Sequence, residues 1–244
     1  MVYYRAPPSE RLSMARVRII SNPAASRTNP RALDAVRAGF ERAGWAAEVV
    51  ATEYEDHARV LASEAAADGV DVIAAYGGDG TIVHTLDGVL GSEVPIAIIP
   101  GGTANQLARN LGVPRGPTRA ASLVTRGRAR PIDLGELRTD QWTASFAVGC
   151  GAGFDAEIIA TATPRLKRRL RVGAYIVRGL HVARGLRPTP VRITVDGRTT
   201  EMEVATVLVV NCDRLFPPYR PVRKGIALDD GVLDVVALRS RFQR

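Results

Sequence analysis

Long apolar runs are missing from this chain. No stretch of its 244 residues approaches the roughly 20 consecutive apolar residues that a membrane-spanning helix needs. Cysteine is nearly missing too, with only Cys150 and Cys212. That argues against a disulfide framework and for a reduced, cytoplasmic protein, both thiols being buried or incidental. No metal-ligand spacing accompanies them. Residues 1–14 lack the apolar core of a signal peptide, carry Pro7-Pro8 and read as a flexible tail. There is no Gly-x4-Gly-Lys-Ser/Thr run, which excludes a P-loop. Gly149-Cys150-Gly151-Ala152-Gly153 lacks the Gly-x-Gly-x-x-Gly spacing of a dinucleotide fingerprint and does not sit in a βαβ unit. Internal repeats and low-complexity segments are absent as well.

What is present supports a folded, basic protein. Hydrophobic residues make up 46% of the chain, enough for a real core. The length suits one large or two modest domains. Net charge is +8, carried almost entirely by arginine. That favours anionic partners such as nucleotides, nucleic acid or an anionic membrane surface, without choosing among them.

Two glycine-rich turns are the most informative feature. Val70 to Tyr76 reads as a buried strand and runs into Gly77-Gly78-Asp79-Gly80-Thr81. Ile96 to Ile99 reads as another and ends in Pro100-Gly101-Gly102-Thr103-Ala104-Asn105. Each turn follows a strand and precedes a helix-like segment. In a parallel sheet both then lie outside the carboxyl ends of the strands, where open α/β sheets bind ligands. Glycine lets backbone N–H groups approach an anion, and the following helix N-terminus favours negative charge. A lone Asp-Gly pair marks an ordinary turn; the placement and the second Gly-Thr-x-Asn turn point instead to phosphate.

The first part of the chain alternates strand and helix. Val17–Ile20 is a strand, Asn29 caps a helix with Pro30 at its first position, and Gly44 ends it. Ala47–Ala51 is a strand, followed by Thr52 and a helix capped by Asp56. Helices are expected over Thr81–Leu90, Asn105–Leu111 and Thr118–Arg126. This is a parallel sheet with helices on its faces. From about Arg130 the pattern changes. Strands are expected over 132–137, 142–148, 191–195, 202–210 and 233–238, with a turn at Asp196-Gly197, and helices over 155–162 and 165–184. The expected organisation is a tail at 1–14, an α/β nucleotide-binding domain at 15–130, and a β-rich, sandwich-like domain at 131–244.

With these motifs in order, the chain resembles the catalytic domain of the diacylglycerol kinase and sphingosine kinase family, especially its bacterial lipid kinase branch. Asn22-Pro23, Thr52 with His57-Ala58, Gly77–Thr81, and Pro100–Asn105 continued by Leu107-Ala108-Arg109 carry the likeness in the first domain. Ile132–Gly135, Gly151–Ala156 and Leu228-Asp229-Asp230-Gly231-Val232-Leu233-Asp234 carry it in the second. The resemblance implies ATP and Mg²⁺ as cofactors and γ-phosphate transfer to a lipid hydroxyl, with diacylglycerol the expected acceptor. It implies Asp79 beside the phosphates and magnesium. It implies Gly77, Gly78, Gly80, Thr81, Gly102, Thr103 and Asn105 around the phosphates, and Asn22, Pro23 and Thr52 at the nucleotide. Asp230, with the carbonyls of Ala227 and Val232, would match a structural magnesium site. The reading of Asp229-Asp230 as a plain hairpin turn stays open.

The chain departs from the family's pattern in places. Ala25 and Ser26 stand where a Ser-Gly pair is usual, Val83 and His84 where Asn-Glu is usual, and Gln106 where many diacylglycerol kinases have Asp. His84 reads as a helix-face residue. The late Asp-Gly-Glu motif that supplies the family's general base does not occur. The expectation is a fragment or shortened product incomplete at the C-terminus, or a chain that has lost catalysis. The alternatives to a lipid kinase are a nucleotide-binding remnant and an NAD kinase-like enzyme, whose Asn-Asn-Glu motif is absent. Between Pro164 and Pro188 there is no acidic residue, and Arg165, Lys167, Arg168, Arg169, Arg171, Arg178, Arg184 and Arg187 are interleaved with apolar residues. That suits peripheral contact with the inner face of a membrane; a solvated face packed on its own domain is the plainer reading. Nucleic acid is not expected, for want of a binding motif. The sequence leaves a homo-oligomer open.

Overall fold

The computed structural model describes residues 14–153, 188–215 and 225–238. The helices expected over 155–162 and 165–184, the end of the Gly151–Ala156 motif and the basic segment Arg165–Arg187 lie outside the described residues. The described residues fall into two compact units, drawn from Met1–Ala147 with Ala227–Gly231, and from Val148–Ile226 with Val232–Arg244.

The first unit opens with β1 (Arg16–Ser21), α1 (Pro30–Arg42), β2 (Ala46–Ala51), α2 (His57–Ala67), β3 (Val72–Gly77), α3 (Asp79–Asp87) and β4 (Ile96–Pro100). The four strands form a parallel sheet in the order β2-β1-β3-β4. All six residues of β3 are buried, as a strand covered on both faces requires. Short helices α4 (Gln106–Asn110) and α5 (Pro117–Val124) follow. Helices α1 and α5 cover one face, where Phe40, Tyr76, Ile99 and Ala120 share a core. The other face carries α2 and α3, with Ala62, Ile73 and Val89 in a second core. Fully burying a side chain such as Ile73 or Ile99 contributes roughly 1.5–3 kcal/mol. Hairpin β5 (Gly135–Arg138) and β6 (Thr143–Phe146) is tied to α3 by Ser145 Oγ donating to Asp87 Oδ1 at 2.5 Å.

Two helix starts differ in mechanism. Asn29 caps α1 as its sequence implies, its Oδ1 accepting from Ala32 N at 2.8 Å. Asp56 stands at the N-cap of α2 but makes no capping bond. Its backbone is left-handed, at φ 66°, and its carboxylate pairs instead with His84 Nδ1 on α3.

The second unit is antiparallel. β7 (Gly149–Gly153), β10 (Thr206–Val210) and β11 (Asp234–Leu238) form a sheet in the order β11-β10-β7. β8 (Thr189–Val195) and β9 (Arg198–Val204) form a hairpin. Its turn has Asp196 at φ 48° and Gly197 at φ 76°, the left-handed pair that a two-residue hairpin turn needs. The single strand expected over 202–210 is divided: Ala205 separates β9, paired with β8, from β10, paired with β7 and β11. The N-terminal α/β sheet followed by antiparallel strands is thus the architecture of this chain.

Cys212 lies buried after β10, its Sγ near the Val148 and Arg214 carbonyls. Burial pushes its thiol up to about 11. The thiolate is the reactive form. Alkylation by iodoacetamide at neutral pH is therefore expected at Cys212 only after denaturation, and rapid labelling of the native chain at Cys212 in a peptide map would contradict this placement.

Candidate functional site

β1 and β3 are neighbours in the sheet although β2 lies between them in the chain. The chain leaves β1 toward α1 on one face and enters β3 from α2 on the other. This is the point where strand order reverses, and ligands of open α/β sheets bind outside the strands' carboxyl ends there. Asn22 and Pro23 follow β1, Thr52 follows β2, Gly78 follows β3 and Gly101 follows β4. The parallel sheet therefore gathers all the residues expected to surround the nucleotide in the first domain at one edge.

Hydrogen bonds join these loops. Asn22 N donates to Tyr76 O at 3.0 Å, and Asn22 Nδ2 donates to Thr81 Oγ1 at 2.9 Å. Thr52 N donates to Ser21 O at 2.9 Å and Gly101 N to Gly77 O at 2.7 Å. Arg27 N donates to Gly101 O at 2.9 Å. Ser26 Oγ and Thr103 Oγ1 lie 2.8 Å apart, both residues exposed. Thr28 was not signalled by the sequence motifs, and Ser26 only as a departure at a motif position. Thr28 Oγ1 donates to the carbonyls of Asn22 and Ala25 and so closes the loop after β1.

The glycines are required by proximity. A Cβ on Gly102 would lie 2.6 Å from Gly78 Cα, and one on Gly77 2.5 Å from Thr81 Oγ1. The two phosphate-type loops are in backbone contact, which a side chain would prevent.

Two polar side chains are engaged within the loops. Asn105, left-handed at φ 48°, accepts from Gly102 N and donates to Gly102 O, both at 2.8 Å. It staples its own loop. Asp79, the first residue of α3, accepts through Oδ1 from Gln106 N at 2.5 Å and Leu107 N at 3.3 Å. Those are the first N–H groups of α4, so Asp79 caps that helix from a separate loop. Burial pushes the Asp79 carboxyl above the ordinary aspartate range, and the N–H donors of Gln106, Leu107 and Asn105 pull it partly back. His84, half-buried on α3, holds Asp56.

The late acidic segment also has a partner far away in sequence. Asp133 N donates to Leu228 O at 2.6 Å, and Asp133 Oδ2 accepts from Gly231 N at 2.6 Å. Asp133 thus holds the Leu228–Gly231 turn at both ends, with Gly231 at φ 73°. Asp230 is exposed on that turn, Ala227 precedes it and Val232 follows. One carboxylate with main-chain carbonyls is a hard-oxygen donor set, the kind Mg²⁺ takes together with water. Among the described residues no group of three or more His, Cys, Asp or Glu is placed to hold a metal, so carbonyls and water would have to complete any such shell.

Fold and loops define an α/β protein whose two glycine-rich loops meet at the switch point of a parallel sheet. The chain belongs to the diacylglycerol kinase catalytic domain family, whose model matches residues 16–137. It is 35% identical over 230 residues to a diacylglycerol kinase of Bacillus subtilis, covering 93% of this chain and 74% of that protein. A diacylglycerol kinase of Mycobacterium tuberculosis is 32% identical over 201 residues, covering 79% of this chain and 62% of that one. Among solved structures, a diacylglycerol kinase from Bacillus anthracis aligns with a TM-score of 0.73 at 28% identity, over 93% of this chain and 75% of that one.

Proposed function

We propose that this chain is an ATP-dependent lipid kinase with diacylglycerol as acceptor. The observation that carries the reading is the backbone contact between the Gly77–Gly80 and Gly101–Gly102 loops at the sheet's switch point, in a chain of this family. Phosphoryl transfer asks little covalent chemistry of a protein; it asks for positioning and charge neutralisation. Gly77, Gly78, Gly80, Thr81, Gly102 and Thr103 are the proposed phosphate surround. Asn105 and Asp79 keep it in shape, and Asp79 also supplies the negative charge that would hold Mg²⁺ beside the phosphates. Asn22, Pro23 and Thr52 are proposed to flank the rest of the nucleotide. ATP supplies the transferable phosphoryl group when bound, and the loops orient it. Asp230 with the Ala227 and Val232 carbonyls is the proposed second, structural cation site. The domain division at about residue 130 and work at the inner membrane surface through Arg165–Arg187 belong to the same proposal.

The test is transfer of label from γ-³²P-ATP into vesicles carrying diacylglycerol, with Mg²⁺. A labelled phosphatidic acid is the expected product. A labelled lipid of another class would replace the acceptor and keep the kinase. Binding of ATP by a folded chain with no labelled lipid of any class would overturn the activity and leave a nucleotide-binding domain.

A further inference from the structure

A cavity of about 200 Å³ lies on the α1–α5 side of the same unit, with Arg27, Arg109 and Arg115 in its wall. Asn29, Asn105 and Pro117 also line it, and among the described residues no acid does. Arg27 and Arg115 are exposed, and neither guanidinium makes a hydrogen bond or ion pair among the described residues. Arg109 is half-buried and oriented by its Nε, which donates to Ala104 O at 2.8 Å. Arg27 is held at its backbone by Gly101 O. Of the other exposed arginines in the unit, Arg37 pairs with Glu41 and Arg138 with Glu136, whereas Arg31, Arg119 and Arg128 stand without an ion pair among the described residues.

Like charges in the wall of one concavity repel, and an anion bound among them relieves that repulsion. Arginine is also the side chain whose planar fork matches phosphate oxygens. The cavity has room for a phosphate group with ordered water. The Asn105 amide is committed to Gly102 on the loop side. We infer that Arg27, Arg109 and Arg115 form a phosphate-binding site beside the nucleotide loops, taking a phosphomonoester dianion. The source is either a lipid headgroup or free phosphate. The inference goes beyond the kinase reading and does not depend on it, since phosphate binding is read without ATP or acceptor.

The experiment is calorimetric titration of the full chain with inorganic phosphate, beside its Arg27→Ala, Arg115→Ala and Arg128→Ala variants. All three positions are exposed, and Arg128 does not line this cavity. Each of the first two is expected to weaken phosphate binding about tenfold, the usual loss for a charge-assisted hydrogen bond. Arg128→Ala, with the same loss of net charge, should leave it unchanged. Sedimentation with phosphatidylcholine vesicles containing phosphatidic acid separates the sources. Vesicle binding lost in the same two variants, and displaced by free phosphate, assigns a lipid headgroup; vesicle binding unchanged assigns a free phosphate; both sustain the site. Three results overturn it. One is no phosphate binding by the parent chain. Another is an equal effect of Arg128→Ala. The third is ATP affinity falling in step with phosphate affinity, which would make the cavity part of the nucleotide site.

Discussion

Asp79→Asn should lose lipid phosphorylation by roughly 10²-fold or more, the scale for removing a preorganised electrostatic group from a reaction centre, while the chain stays folded. The amide keeps an oxygen to accept from Gln106 N and Leu107 N but cannot supply negative charge. Asp79→Ala removes that acceptor and leaves the start of α4 uncapped. It should cost about 0.5–2 kcal/mol of stability, so lost activity in the alanine variant alone would not separate chemistry from folding. The pH dependence separates them further. Burial holds the folded Asp79 carboxyl above its ordinary value. Its contribution to stability is therefore fully present below about pH 4 and is lost as pH rises through the raised folded value. The asparagine variant has no such group, so it should gain on the parent in urea midpoint as pH rises from about 4 to neutral. A fully active Asp79→Asn variant would remove Asp79 from the site.

Gly102→Ala should be nearly as damaging, by a different route. The added Cβ would meet Gly78 Cα at 2.6 Å and Asn105 Oδ1 at 2.9 Å. Gly78 Cα is backbone and cannot rotate away, so the two loops must separate. Overpacking of this kind typically costs about 1–3 kcal/mol, and a misplacement near 1 Å costs about 10²-fold in rate. Gly39→Ala, within α1 and with nothing within 4 Å of its Cβ, is the contrast. It should raise stability by roughly 0.5–1 kcal/mol and leave activity unchanged. Thermal midpoints and initial rates of both variants check this, and a Gly102→Ala enzyme with parental rates would mean the loops do not need their contact.

The first unit was legible because its signals are local. Val72–Tyr76 and Ile96–Ile99 are short apolar runs closed by glycine, and Asn29-Pro30 starts α1 by side-chain chemistry within one turn. Asp56 shows the limit. A capping residue at a capping position was read from local preference, but His84, far along the chain, took its carboxylate and the backbone went left-handed. β7 shows another limit. Gly149-Cys150-Gly151-Ala152-Gly153 has glycine at alternate positions, a composition depleted in strands. Yet it pairs along its whole length with β10, where a Cβ on Gly149 would come within 2.9 Å of Val209 O. Its strand character comes from the partner.

By itself the sequence determined the alternation of strands and helices in the first unit, the two glycine turns and the family, because each rests on residue types at short spacing. Only the tertiary structure decided what the polar residues of those turns hold. Asp79 reaches the start of α4, Asn105 closes on Gly102, Ser26 meets Thr103, and Asp133 grips the Leu228–Gly231 turn. All but Asn105 join separate segments, and the cavity of Arg27, Arg109 and Arg115 draws on separate segments too. A hydrogen bond needs donor and acceptor within about 3 Å, and no spacing along a chain specifies that distance until the sheet has brought the loops to one edge.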